Sequence, residues 1–254
     1  MLPTRYSVLN YLRMNVALFG GTFDPIHLGH VALARAATKR FALSRVEFIP
    51  ANVPPHKQRQ PTTPFIHRYA MVVLATLDEK KFMPSLLESP PEFRATANDR
   101  EDPNTALPSY TIDTVRRVKE SLAKSDHLFF LIGVDAFLDI AKWREAEALL
   151  RECDFVVASR PGYPLENLLN ALPKTLQPET SIICGRGPKR GANGPVVHVL
   201  DGIYQPISST TIREAATRSR PLTRWIDPAV ARYIQKTHLY KPGPHASRGG
   251  LTQG

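Results

Sequence analysis

VALFGGTFDPIHLGHVALARAATKR, residues 16–40, reads as a short apolar strand, a glycine-led turn and a helix. VALF at 16–19 is continuously apolar, the pattern of a strand buried on both faces. VALARAATKR at 31–40 ends in basic residues suited to a helix C-terminus. Between them, Gly20 and Gly21 let the backbone come close to a ligand. The amides that open the helix carry partial positive charge, which suits an anion. The unit is therefore a candidate phosphate site. It is neither a dinucleotide GxGxxG loop nor a Walker loop, because that glycine spacing and the Gly-Lys-Ser/Thr ending are missing.

Working outward, the same alternation repeats. VEFIP (46–50), HLFFLIG (127–133), DFVVAS (154–159) and VVHVL (196–200) read as further buried strands. Helices are expected over about 28–40, 66–80, 110–124, 136–150 and 210–218. Strand and helix in turn predict an α/β fold with a doubly wound, mostly parallel, Rossmann-like sheet. In such sheets ligands lie beyond the carboxyl ends of the strands, so the loops after each strand carry the chemistry. We expect one domain over 14–240, an N-terminal extension at 1–13 and a flexible tail at 241–254. Met14, directly before NVALFGG, is a candidate biological start. The polar, proline-rich stretch 90–108 is expected to be loop or disorder.

Composition narrows the classes of function. The apolar stretch near the N-terminus is broken by Arg5, Asn10 and Arg13, so it is neither a secretory signal nor a membrane span, and a cytoplasmic protein is expected. Cys153 and Cys184 form no CxxC pair and read as reduced and structural. The excess of 33 Lys and Arg over 23 Asp and Glu favours anionic partners. The clearest basic cluster, GRGPKRG at 185–191, has no interleaved aromatics, and no zinc-finger or RNP-like pattern occurs, so nucleic acid is not the expected partner. Oligomeric state is left open, a homo-oligomer included.

His27 and His30, three residues apart at a helix start, point to one side, with Gly29 between them leaving room for phosphate oxygens. Packed or capping histidines would read the same way, as would a metal pair completed by Asp24. The glycines before and the helix after favour the phosphate reading. Ser208–Arg213 opens another helix, in which Thr211 and Glu214 fit a capping box, so hydroxyls and amides gather at its positive end. The two prolines of PPHK stiffen a loop that holds His56 and Lys57 towards an anion, or leaves them as a solvated basic turn. Asp135 follows Gly133 at a strand end and could cap the next helix, on which Trp143 would lie.

GTFDPIHLGH is similar to the signature of the HxGH nucleotidyltransferases. With IPANVPPHK (49–57), PSYTIDTV (108–115), FLIGVDAFLDIAKW (130–143), SRPGYP (159–164) and PISSTTIR (206–213), the chain resembles bacterial nicotinate mononucleotide adenylyltransferases over roughly 15–240. The resemblance implies transfer of AMP from ATP to nicotinate mononucleotide with Mg²⁺, in NAD biosynthesis. It implies catalytic roles for His27, His30 and Arg213, which would bind the extra charge around the α-phosphate. It places Gly20, Gly21, Thr22, Phe23, Gly133, Asp135, Ser208, Ser209 and Thr210 on ATP, with Asp135 on ribose hydroxyls. It places His56, Lys57, Thr111, Trp143 and Arg160 on the acceptor, with the pyridine ring stacked on Trp143. No dedicated protein site for the metal is implied. The same core could serve nicotinamide mononucleotide or phosphopantetheine as acceptor, or a nucleotide-binding protein without turnover. One departure concerns helix termination: the family usually has glycine before the C-terminal Leu-Tyr, where this chain has His238.

Overall fold

The computed structural model describes residues 13–53, 62–93, 109–159, 163–184, 194–203 and 207–241. Seven strands form one parallel sheet: β1 (Asn15–Gly21), β2 (Arg45–Pro50), β3 (Phe82–Pro84), β4 (His127–Gly133), β5 (Asp154–Ala158), β6 (Ser181–Cys184) and β7 (Val196–Leu200), in the order β3-β2-β1-β4-β5-β7-β6. The chain leaves β1 towards β2 and β3, then returns to place β4 on β1's other side. That reversal opens a crevice between the carboxyl ends of β1 and β4, where Gly20, Gly21 and Gly133 lie.

Alternation along the strands assigns side chains to two layers. Ala17, Phe19, Val46, Phe48 and Leu131 pack on one face, with α1 (Leu28–Arg40), α2 (Phe65–Thr76), α7 (Ser209–Thr217) and α8 (Pro228–Lys236). Val16, Leu18, Phe130 and Ile132 pack on the other, with α3 (Thr111–Ser121), α4 (Val134–Phe137), α5 (Ala146–Glu152) and α6 (Leu165–Ala171). Both faces are covered, which is why the strands read as unbroken apolar runs.

The structure departs from the sequence expectations at several points. β3 and β6, of three and four residues, lie at the two sheet edges and are too short to show a period. α8 was signalled by Asp227 followed by Pro228: the aspartate accepts from Ala229 N–H at 2.7 Å, and proline occupies the first turn. The single helix expected over 136–150 is three pieces, α4, a 3₁₀ turn at Ile140–Lys142, and α5, which begins after Glu145 at φ 49°. Arg13, expected to belong to a separable extension, places its guanidinium on the His127 ring at 2.5 Å. Cys153 is buried and burial pushes its thiol pKa up, whereas Cys184 is exposed; both are free. No described helix is long and apolar enough to cross a membrane. Residues 1–12, most of 90–108, the 185–191 basic cluster and 242–254 lie outside the described residues.

Candidate active site

At the end of β1 the two glycines leave room for the protein's own aromatics. A Cβ at Gly20 would stand 3.2 Å from the Phe130 ring, and one at Gly21 would stand 3.1 Å from the Phe23 ring. Phe23 is buried, at φ 49°, and turns the chain towards α1. His27 is the extended N-cap of α1. Its ring stacks on that of His30, with centroids 3.6 Å apart and planes at 24°. His30 Nδ1 accepts from His27 N–H at 3.1 Å, so the ring's own hydrogen sits on Nε2. The edges of Phe19 and Phe23 approach the same ring, with centroids 5.7 and 5.1 Å away.

Burial holds both imidazoles neutral. The pKa of His27 falls to about 4, and that of His30 lies well below the usual histidine range, lowered by burial and then by His27. The pair therefore presents neutral hydrogen-bonding groups to the cleft they line. Permanent charge must come from elsewhere.

One guanidinium at this loop comes from α7. Arg213 donates to Asp24 O at 2.7 Å and to Thr210 Oγ1 at 3.2 Å, while Ser209 Oγ donates to Pro25 O at 3.0 Å. The catalytic arginine expected from the sequence thus lies against the β1–α1 loop. The cap of α7 is Ser208, whose oxygen accepts from Thr211 N–H at 3.1 Å, and not Thr211 paired with Glu214. Two hydroxyl residues three apart fit the pattern equally well, and the extended backbone at Ser208 selects the first.

Asp24 does not complete a metal pair with the histidines. Its buried carboxylate accepts from Tyr240 O–H at 2.7 Å and from Thr63 N–H at 3.1 Å. Among the described residues no group of three His, Cys, Asp or Glu is arranged to hold a metal.

A cleft of 580 Å³ runs from this loop across the crevice. Gly20, Gly21, Thr22, His27, Gly29 and His30 line one part, and Thr111, Trp143, Gly133 and Asp135 line another. Asp135 is exposed in the first turn of α4, whose N-cap is Gly133, so it does not serve as the cap. Trp143 is not on a helix: it follows the 3₁₀ turn in extended conformation, with its ring edge-on to Phe130 at 6.3 Å and 89°. Phe23 does not line the cleft, nor do Ser208, Ser209, Thr210 and Arg213. His56, Lys57 and Arg160 lie outside the described residues.

Two cleft residues, Arg144 and Glu88, carried no sequence signal strong enough to single them out. Arg144 stacks its guanidinium over Tyr110, 4.6 Å from the ring centroid. Glu88 accepts from Thr114 Oγ1 at 2.6 Å and also bonds Ser109, which ties the start of α3 to the cleft wall. Burial raises the Glu88 pKa against those hydrogen bonds. Glu88 stands just before the polar, proline-rich stretch at 90–108, and nothing in its neighbourhood hints at its position.

A parallel, doubly wound sheet with a strand-turn-histidine loop facing a serine-led helix across the switch point defines a Rossmann-like nucleotidyltransferase. The Cytidylyltransferase-like family model matches residues 18–215, and the chain belongs to that family and, within it, to the nicotinate-nucleotide adenylyltransferases. A probable nicotinate-nucleotide adenylyltransferase of Thermoanaerobacter sp. (strain X514) is 36% identical over 228 residues, 90% of this chain and 95% of the relative. One from Solibacter usitatus is 38% identical over 89% of this chain and all of its own length. Among solved structures, Plasmodium falciparum nicotinic acid mononucleotide adenylyltransferase complexed with NaAD superposes with a TM-score of 0.64 at 21% identity. It covers 90% of this chain and 98% of its own, and at that identity it supports the fold alone.

Proposed function

We propose that the chain transfers the AMP part of ATP to the 5′-phosphate of nicotinate mononucleotide, giving nicotinate adenine dinucleotide and pyrophosphate. The observation that carries this reading is one continuous cleft joining the His27–His30 loop to Thr111 and Trp143. An anion-binding end and an aromatic end in one volume suit two nucleotides placed phosphate to phosphate. The relatives' names supply the acceptor.

An acceptor phosphate oxygen attacks the α-phosphorus in line. The new P–O bond forms as the bond to the β-phosphate bridging oxygen breaks, and pyrophosphate leaves with that electron pair. The reaction needs alignment and charge compensation more than a protein nucleophile. His30 Nε2–H donates to an α-phosphate oxygen as charge accumulates there, and His27 flanks it. Arg213, with Ser208, Ser209 and Thr210, would exchange its contacts with the loop for contacts with the leaving phosphates. Asp135 would accept from ribose hydroxyls. Trp143 would stack the pyridine ring, and Thr111 would donate to its carboxylate. His56, Lys57 and Arg160 would add charge around the acceptor.

Magnesium fits this site as part of the substrate, MgATP. The donors at the loop are imidazole nitrogens, and the Asp24 carboxylate has both oxygens hydrogen-bonded, so the cation's oxygen ligands would be phosphates and water.

The test offers purified protein MgATP with nicotinate mononucleotide, nicotinamide mononucleotide, phosphopantetheine or no acceptor, and follows pyrophosphate. Release that depends on the acid nucleotide is expected. Release with phosphopantetheine alone would replace the acceptor, and no release with any of them would remove the activity.

A further inference from the structure

The most deeply buried charge in the described molecule is not in the proposed mechanism. Arg68, on the first turn of α2, is 1% exposed. Its guanidinium donates to three backbone carbonyls: Nη1 to Thr22 O at 2.8 Å, Nη2 to Asn52 O at 3.2 Å and Nε to Thr63 O at 2.8 Å. Thr22 belongs to the β1–α1 loop and lines the cleft. Asn52 and Thr63 stand at the two ends of the connection from β2 to α2.

Backbone pairing cannot hold these segments together. The β1–β2 ladder ends at Gly21 opposite Pro50, followed by a last bond from Ala51 N–H to Gly21 O at 2.9 Å. Where the ladder stops, the guanidinium takes over, bridging the next carbonyls on both sides. Arginine alone suits this bridge, because its planar fork presents five donors in fixed directions, whereas lysine offers donors from one point. Burial works against the charged form, while the Asp24 carboxylate and the Tyr240 phenol nearby favour it. The Phe65 ring lies 5.7 Å from the guanidinium carbon.

We propose that Arg68 is a positioning residue that locks the ATP-facing β1–α1 loop in register with both ends of the β2–α2 connection before substrate binds. Arg68 reaches no reacting atom and acts through the Thr22 carbonyl, five residues before His27. The inference rests on the proposed reading that this loop receives the nucleotide.

The test compares wild type with Arg68→Lys by three measurements: steady-state kinetics with MgATP and nicotinate mononucleotide, thermal unfolding, and amide hydrogen exchange over 21–24 and 51–53. A misplaced loop typically lowers turnover by roughly 10- to 100-fold. The expected result is a loss of that size in kcat with a raised KM for ATP, cooperative unfolding retained, and faster exchange in both segments together. Wild-type kinetics and exchange in Arg68→Lys would overturn the proposal, as would loosening of one segment alone. If Arg68→Lys does not fold, the wild-type protein decides: the two segments should open as one unit, and unequal opening free energies would overturn the lock. If wild-type protein releases no pyrophosphate, the functional reading fails while the exchange measurement still judges Arg68.

Discussion

His30 accepts a hydrogen bond from the backbone N–H of His27 through Nδ1 at 3.1 Å, while the two rings stack 3.6 Å apart. A single contact therefore caps the start of α1 and fixes the tautomer of His30, with its hydrogen on Nε2. Capping and a place in the cleft, alternatives in the sequence, are compatible in one ring.

Replacing His30 by alanine should lower kcat by at least about 10²-fold, the usual cost of removing one transition-state hydrogen-bond donor. Cooperative unfolding should survive, because the ring meets Phe19 and Phe23 only at their edges. Steady-state kinetics beside a thermal melt checks both. Near-normal turnover would take His30 out of the mechanism, and loss of fold with activity would make it a packing residue.

The neutral histidines predict how stability depends on pH. Above the ordinary value of 6.5, neither the folded nor the unfolded chain protonates them, and their contribution does not change. As pH falls below 6.5, the unfolded chain takes up protons that folded His27 refuses until about pH 4, so stability is lost across that window. At about 1.4 kcal/mol per unit the His27 loss is at most about 3.5 kcal/mol, and less where cleft water reaches the ring. His30, depressed in the same direction, adds to it. Melting temperatures between pH 7.5 and 4.5 should fall more steeply for wild type than for a His27→Ala, His30→Ala double variant. Parallel slopes would show that the rings titrate normally.

Acceptor choice should separate Thr111 from Trp143. If Thr111 donates to a full carboxylate charge, worth about 1.5–3 kcal/mol, the acid nucleotide should exceed its amide by about 10- to 150-fold in kcat/KM. Thr111→Ala should hurt the acid more. Trp143→Ala should impair both acceptors by similar factors, since stacking is indifferent to the substituent. Equal use of the two acceptors by wild type would remove Thr111 from recognition.

His238 lies at φ 54°, just past the end of α8, in the left-handed conformation that glycine adopts without strain. Helix termination therefore does not fail where the family's usual glycine is missing; a histidine takes the same backbone conformation at a cost. His238→Gly should stabilise the fold by about 0.5–1 kcal/mol, raising the melting temperature by a few degrees without changing kcat. A lower melting temperature would mean that the histidine side chain contributes more than its backbone costs.

Much of this protein was legible as a string of residues because the signals are local. Strands buried on both faces are written as apolar runs, and β4 and β7 coincide with HLFFLIG and VVHVL to the residue. α1 begins and ends where its histidine start and basic last turn say it should. His27 and His30 do meet on one side, although His27 is the extended N-cap, so the capping contact and not the helical period alone brings their rings together. Other features depend on contacts between distant segments, which no local period records. Arg213 meets Asp24 across 189 residues. Trp143 leaves the expected helix so that its ring can stand edge-on to Phe130, while its neighbour Arg144 covers Tyr110. Arg68, one residue of the helix expected over 66–80, becomes a buried bridge only when the β1–α1 loop and both ends of the β2–α2 connection converge on it. The charge state of the histidine pair was decided the same way: the residues supply the imidazoles, but the burial that keeps them neutral exists only in the folded chain.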